Sequence, residues 1–211
     1  MKIYLIRHGE TNWNKEKRLQ GQVNIPLNEN GLAVAKLTAA GLREVEFDAV
    51  YSSPLARAYQ TACLVTEGRY PVIPDDRLQE MSFGPLEGYF IGKDNYNVPD
   101  PAFQNYFLAP EQYANPEGAE SYPEVCSRTG AFMKELMENP DNQDKTILVS
   151  THGAALRGLL ISVFQKPISE YWKGGVHRNC AVTILDVTDG KITMEQENVI
   201  YYDEALSTNY D

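Results

Sequence analysis

Cysteine and histidine are both scarce, with three of each in a chain of 211 residues. Cys63, Cys126 and Cys180 lie far apart, and no pair has metal or redox spacing. Each sits in an apolar stretch and reads as core packing. An odd, sparse set without a secretory signal points to the reducing cytoplasm. The chain also lacks a His-Glu-x-x-His zinc motif, a Gly-x-Ser-x-Gly nucleophile elbow and a dinucleotide fingerprint, and residues 88–93 have neither the spacing of a P-loop nor its Ser or Thr. No stretch approaches the roughly 20 apolar residues of a membrane helix. The apolar run 3–6 is too short for a signal peptide, and Arg7 ends it. Positive charge is in deficit, with 19 Lys and Arg against 29 Asp and Glu. That balance argues against nucleic acid, whose partners usually carry a basic face. It leaves room for a small anion, which a local arginine cluster holds even on an acidic protein.

What is present suits one α/β domain spanning residues 1–211. That length is close to the prior of roughly 100–200 residues per domain, which α/β folds often exceed. Residues 2–6 read as a buried strand and 9–27 as loop. Asn28 N-caps a helix to about residue 44, with Leu32, Ala35, Leu37, Ala39 and Leu42 as its apolar positions. A second strand covers 48–52. Ser53 is then the expected cap of a further helix, with Pro54 at its first position. Residues 68–120 form an excursion over the active site, rich in Pro, Tyr, Asn and Phe, and loops of such length are uncommon unless functional. Ser121 and Glu124 make a capping box for a helix to about residue 139. A strand at 146–150 runs into an apolar helix, and Asp189-Gly190 joins two alternating segments as a hairpin. The order implies a three-layer α/β/α sandwich with a mixed, mostly parallel central sheet. Ligands of such sheets bind beyond the carboxyl ends of the strands.

Three strands end in chemically suggestive residues: Arg7-His8-Gly9, Ser52-Ser53-Pro54 followed by Arg57, and Thr151-His152-Gly153. If these ends share one edge, two histidines and two arginines face one crevice. Phosphoryl transfer is mostly positioning and electrostatic stabilisation of charge on the equatorial oxygens. Arginine grips such oxygens bidentately, and a neutral imidazole nitrogen can attack phosphorus. Gly9 and Gly153 let the backbone approach a ligand, and the amides at a helix start are expected to add donors. A departing oxygen also needs a proton. Of the two loop carboxylates, Glu80 is the better general acid and Glu87 the weaker candidate.

Leu5-Ile6-Arg7-His8-Gly9-Glu10-Thr11-Asn12-Trp13-Asn14 closely resembles the opening motif of the histidine phosphatase superfamily, the phosphoglycerate mutase-like proteins. The likeness continues through Arg18-Leu19-Gln20-Gly21, then Tyr51 to Ala58, Glu80 to Gly88, Gly118 to Ser121, and Val149 to Gly153. A bare Arg-His-Gly is weak, but the ordered set is specific. The resemblance implies His8 as phosphoaccepting nucleophile. It implies Arg7, Arg57 and His152 as phosphoryl ligands, and Glu80 as proton donor and later base. Asn14, Gln20 and Gly21 would be phosphate and substrate contacts. The family works without metal or cofactor on small phosphorylated substrates, and a homodimer is left open. Asn24 and Asn28 replace the Asp and Thr of many members, an exchange among turn and cap types. Residues 89–115 follow no family pattern, so they either line a partly apolar pocket or only cover it. His177 is expected on the surface. The stretch Gln79 to Gly84 lacks the mutases' Glu-Arg-His-Tyr-Gly, which favours hydrolysis over mutase chemistry. A non-catalytic phospho-ligand module is the remaining alternative.

Overall fold

The computed structural model describes residues 1–208, and residues 209–211 lie outside the described residues. Six strands form one sheet: β1 (Lys2–Arg7), β2 (Ala49–Ser52), β3 (Val72–Pro74), β4 (Thr146–Thr151), β5 (Val182–Thr188) and β6 (Lys191–Val199), in the order β3-β2-β4-β1-β5-β6. β1, β2, β3 and β4 run parallel, while β5 and β6 are antiparallel additions at one side. The register sets Arg7 opposite Thr151 and Ser52 opposite Ser150. Three carboxyl ends therefore finish level on one edge of the sheet.

Alternation along the strands builds the two flanking layers, because successive side chains of a strand point to opposite faces. Ile3 and Leu5 pack against Phe132 and Met133 of α5 (Tyr122–Glu138) and Leu156 and Leu159 of α6 (Gly153–Val163). Tyr4 and Ile6 face Val34 and Ala35 of α2 (Glu29–Leu42) and Ala62 and Val65 of α3 (Ala56–Val65). The expected three-layer arrangement is thus formed by single-residue periodicity in β1.

Local signals explain most helix ends. Asn28 accepts from the Gly31 amide, and Ser121 and Glu124 exchange both bonds of a capping box. Three expectations are corrected. Ser53 does not cap α3. The helix starts after Leu55, because Leu55 itself has extended backbone and the Ser53 hydroxyl, which accepts from the Leu55 amide, lies beside His152. Leu32 and Leu37 are 37% and 43% exposed, because the sheet-facing stripe of α2 is Val34, Ala35, Thr38, Ala39 and Leu42. The 9–27 loop holds a short α1 (Asn12–Lys15), closed by a capping box between Thr11 and Asn14.

The 68–120 segment opens with β3, an edge strand too short to leave a periodic signature. It then passes through 3₁₀ turns and a short α4 (Asn105–Leu108). Phe83, Leu86, Phe103 and Tyr106 form a third apolar cluster with Tyr122 of α5, Ala154 of α6 and Tyr171. The cluster includes Ala154, in the first turn of α6, so this segment packs against the start of that helix.

Candidate active site

His8 follows β1 directly, and its amide extends the ladder by donating to Thr151 O at 2.9 Å. The ring is 2% exposed. Its Nδ1 lies 2.7 Å from the Gly9 carbonyl oxygen, which can only accept. The proton must therefore sit on Nδ1, which leaves the Nε2 lone pair available. Burial, then the charges of Arg57 and Arg7, hold its pKa well below the usual histidine value, so the ring is neutral at pH 7.

His152 stands at the N-cap position of α6, with its ring centroid 5.1 Å from that of His8. Its Nε2 is 2.8 Å from Ser53 Oγ. Because Ser53 Oγ already accepts from the Leu55 amide, its hydroxyl proton is free to go to His152 Nε2. In that tautomer the proton of His152 is on Nδ1, a buried atom with no protein hydrogen-bond partner.

The two arginines are held by carbonyls. Arg57 is fully buried and donates to Gly21 O at 2.7 Å and Val23 O at 2.8 Å. Burial lowers its guanidinium to about 10, partly offset by Glu80, so it remains cationic at neutral pH. Arg7 Nη1 donates to His177 O at 2.5 Å. His177 is itself 2% exposed, which overturns its expected place on the surface. The pairing of β1 with β5 draws the chain before β5 under Arg7, and the His177 ring turns to Thr183 at 3.2 Å.

Glu80 is seated at the start of α6. Its Oε1 accepts from Met81 and Ala155 amides, both at 2.9 Å, and its Oε2 from the Ala154 amide at 3.2 Å. The helix-start amides expected to meet an anionic ligand are therefore engaged by this carboxylate. Arg128 of α5, missed in the sequence, fixes the loop by donating to the carbonyls of Arg77, Gln79 and Glu80 while pairing with Glu120 at 2.7 Å. Its only sequence signal was Glu120 beside the capping box. Glu87 takes a structural place, accepting from the Gln22, Val23 and Phe83 amides.

Asn14 Oδ1 accepts from the Thr11 amide at 3.1 Å and Gln20 Oε1 from the Thr11 hydroxyl at 2.7 Å. Both side-chain NH₂ groups are left as donors. Gly21 has φ +53°, and a Cβ there would stand 1.9 Å from Glu87 Oε1. Gly9 is required by packing rather than by a ligand, since its Cβ would meet Gly31 O at 2.8 Å. At Gly153 a Cβ would project among Val176, Arg7 Nε and Glu80 Oε2 at 3.5, 3.6 and 3.7 Å.

Arg7, His8, Asn14, Gln20, Gly21, Arg57, Glu80 and Gly153 together line a hollow of about 80 Å³. That is far below the roughly 300 Å³ at which ordinary ligand pockets begin, and it suits a tetrahedral oxyanion. Of the expected site residues, only His152 is absent from its wall, and its ring centroid lies 5.1 Å from that of His8. Among the described residues no three His, Cys, Asp or Glu side chains cluster as metal ligands. Among the described residues no helix is long and apolar enough to cross a membrane.

The same burial couples stability to pH. His8, His152 and His177 all have lowered pKa values, with burial as the first cause each time and His177 at about 3. Below about pH 6.5 the unfolded chain takes protons that the folded chain refuses. Each histidine then costs ~1.4 kcal/mol per pH unit, or ~4 kcal/mol for three. Urea unfolding is expected to show stability falling from pH 6.5 towards 5, and His177→Gln should reduce that slope by about a third. A flat stability profile over this window would count against neutral buried rings.

An α/β sheet whose level strand ends bring one imidazole and two buried guanidiniums to the wall of a small hollow, with a second imidazole 5.1 Å from the first, defines an oxyanion-handling protein. The family model for the histidine phosphatase superfamily (branch 1) matches residues 3–200, and the chain belongs to that family. It is 28% identical over 200 residues to Phosphoserine phosphatase 1 of Hydrogenobacter thermophilus, covering 94% of this chain and 92% of that one. It is 34% identical to Probable phosphoglycerate mutase GpmB of Yersinia pestis over 88% of this chain and 85% of the relative. The solved structure of Bacillus stearothermophilus YhfR superimposes with a TM-score of 0.86 at 33% identity, over 95% of this chain and 98% of that one.

Proposed function

We propose that the protein hydrolyses small phosphomonoesters through a phosphohistidine on His8, with residues 68–120 as the cover of a single-domain enzyme. One observation carries the reading: Gly9 O fixes the His8 proton on Nδ1, so a neutral Nε2 lone pair meets a hollow walled by Arg7 and Arg57. The name of the Hydrogenobacter relative supports hydrolysis, and the three free cysteines suit a reducing compartment such as the cytoplasm.

In the first step Nε2 attacks phosphorus, and the bond to the ester oxygen breaks. Arg7, Arg57 and the Nδ1–H of His152 stabilise the charge on the equatorial oxygens. The NH₂ groups of Asn14 and Gln20 donate to the same oxygens. Glu80 enters this step as the carboxylic acid and gives the proton on Oε2, the oxygen with a single amide partner, to the leaving oxygen. In the second step Glu80 takes a proton from water, which attacks the phosphohistidine, and inorganic phosphate leaves while His8 regains its lone pair.

Glu80→Gln tests the acid. Glutamine keeps the Met81 and Ala155 amides on Oε1 and loses only the acceptor for the Ala154 amide, the longest of the three bonds at 3.2 Å. The expected result is a fall in kcat/KM of about 10²–10⁴ on alkyl phosphates, with a much smaller fall on p-nitrophenyl phosphate, whose leaving group needs no proton. Equal losses on both esters would sink the acid role. The mutase alternative is kept by the Yersinia relative's name and is read in the same assay. Transfer of phosphoryl to phosphoglycerate from a bisphosphate primer, faster than release of phosphate, would replace the hydrolase reading.

A further inference from the structure

The hollow at His8 opens beside a second, much larger cleft of about 750 Å³. Asn14, Arg18, Ile91, Phe107, Trp172 and Val176 belong to both walls. An ester whose phosphoryl group fills the hollow must therefore place the rest of its structure here.

The charge of this cleft runs against that of the molecule. Among the described residues, Lys17, Arg18, Lys93 and Arg178 line it with a single acid, Glu204, whereas the whole chain has 19 Lys and Arg against 29 Asp and Glu. Glu204 is already paired with Arg178. Arg18 is held in place by Glu16 at 2.6 Å and by the Phe90 ring, 4.1 Å from its guanidinium carbon. Arg18 reaches the hollow as well, whereas Lys93 and Arg178 line only the larger cleft, and Phe107 and Trp172 form an apolar wall common to both. Phe107 and Trp172 pack with ring centroids 5.2 Å apart, and the Trp172 Nε1–H donates to Tyr122 Oη at 2.8 Å, which fixes the indole. Lys93, Ile91 and Phe107 come from the 89–115 stretch, which thus contributes a cation and apolar groups to this cleft.

We propose that the cleft selects phosphomonoesters whose non-phosphate part spans an apolar body and ends in a second acidic group, a carboxylate or a further phosphate. The proposal rests on the phosphatase reading and names the substrate class of that site. A compact two- or three-carbon phospho-acid leaves most of 750 Å³ unfilled and does not extend across the aromatic wall to the cations.

The test compares two pairs of esters, each an acid and its uncharged amide with the same leaving group. The long pair is 4-(phosphonooxy)phenylacetate and 4-(phosphonooxy)phenylacetamide; the short pair is 2-phosphoglycolate and its amide. The wild-type protein is expected to prefer the long acid over its amide about tenfold in kcat/KM, the scale of one charge-assisted contact. It should show no such preference in the short pair. The preference should shrink with added salt, as screening of a partly exposed contact requires, and should fall to near unity in the Lys93→Gln/Arg178→Gln double variant. 1,4-Phenylene bisphosphate, compared with phenyl phosphate, reads whether a phosphate is favoured over a carboxylate as the second anion. Equal turnover of the long acid and amide, in a protein that turns over both, overturns this proposal alone. So does an equal preference in the short pair, which would move the second anion into the hollow itself. Absence of turnover on every ester overturns the phosphatase reading and this inference with it.

Discussion

His8→Ala is expected to lower turnover of any phosphomonoester by about 10⁴–10⁶, the scale of losing a nucleophile that works within a unit. No neighbouring group can substitute. The His152 ring is 5.1 Å away at the centroid, and its Nε2 is engaged by Ser53. Cys180 donates its amide to Arg7 O, but burial pushes its thiol up to about 12, so it offers no thiolate at pH 7. The substitution leaves the backbone bond from residue 8 to Thr151 O in place, so the sheet edge should persist and circular dichroism should be unchanged. Rapid quench with a ³²P-labelled ester should trap acid-labile, base-stable label on the wild-type chain and none on the variant. Residual turnover within about tenfold of wild type, or label retained on the variant, would remove His8 from the mechanism.

The residues of this site were legible because three short apolar strands each stop at a polar, reactive cluster. Arg7-His8, Ser53 with Arg57, and His152 all follow a buried run, and a parallel sheet aligns such ends. What the chain order could not show is register. That Arg7 lies opposite Thr151 is a pairing of residues 144 positions apart, set by the crossovers through the helices. The same distance in sequence hid the support of the site. His177 sits in a polar triplet with Arg178 and Asn179, which looks exposed until β5 pairs with β1 and carries it beneath Arg7. Ser53 resembled a helix cap because Ser-Pro is a common start. Its hydroxyl is instead needed at His152, and the helix begins three residues later. Glu80 was chosen as a loop carboxylate near a motif. Only the fold reveals that two of its three amide donors come from α6, where a ligand had been expected to take them. Charge and burial, being sums over the tertiary neighbourhood, are the quantities that a linear reading recovers last.

Arg57→Gln is expected to separate activity from stability. Its guanidinium is buried, and among the described residues no carboxylate lies within 4.0 Å of it. The desolvation of such a charge costs several kcal/mol, whereas its two carbonyl partners each return ~1.5–3 kcal/mol. The 20–23 turn is also held by Glu87, so it should survive the loss. The net effect on unfolding should be within about 2 kcal/mol of zero. Activity should fall about 10³-fold, since a fixed, buried cation on the transferring phosphoryl is removed. The pH profile provides the sharper test. After burial, Arg57 is the next cause of the depressed pKa of both His8 and His152. Removing it raises both values towards 6.5, so protonation of His8 should cut kcat/KM from a higher pH than in the wild type, with the same substrate titration in both. The folded variant then accepts protons closer to where the unfolded chain does. Its stability should therefore decline less steeply between pH 6.5 and 5 than that of the wild type. A variant with an unmoved acid limb and an unchanged stability slope would mean that Arg57 does not sit electrostatically over the two rings, and the assignment of the hollow as a phosphoryl site would lose its central charge.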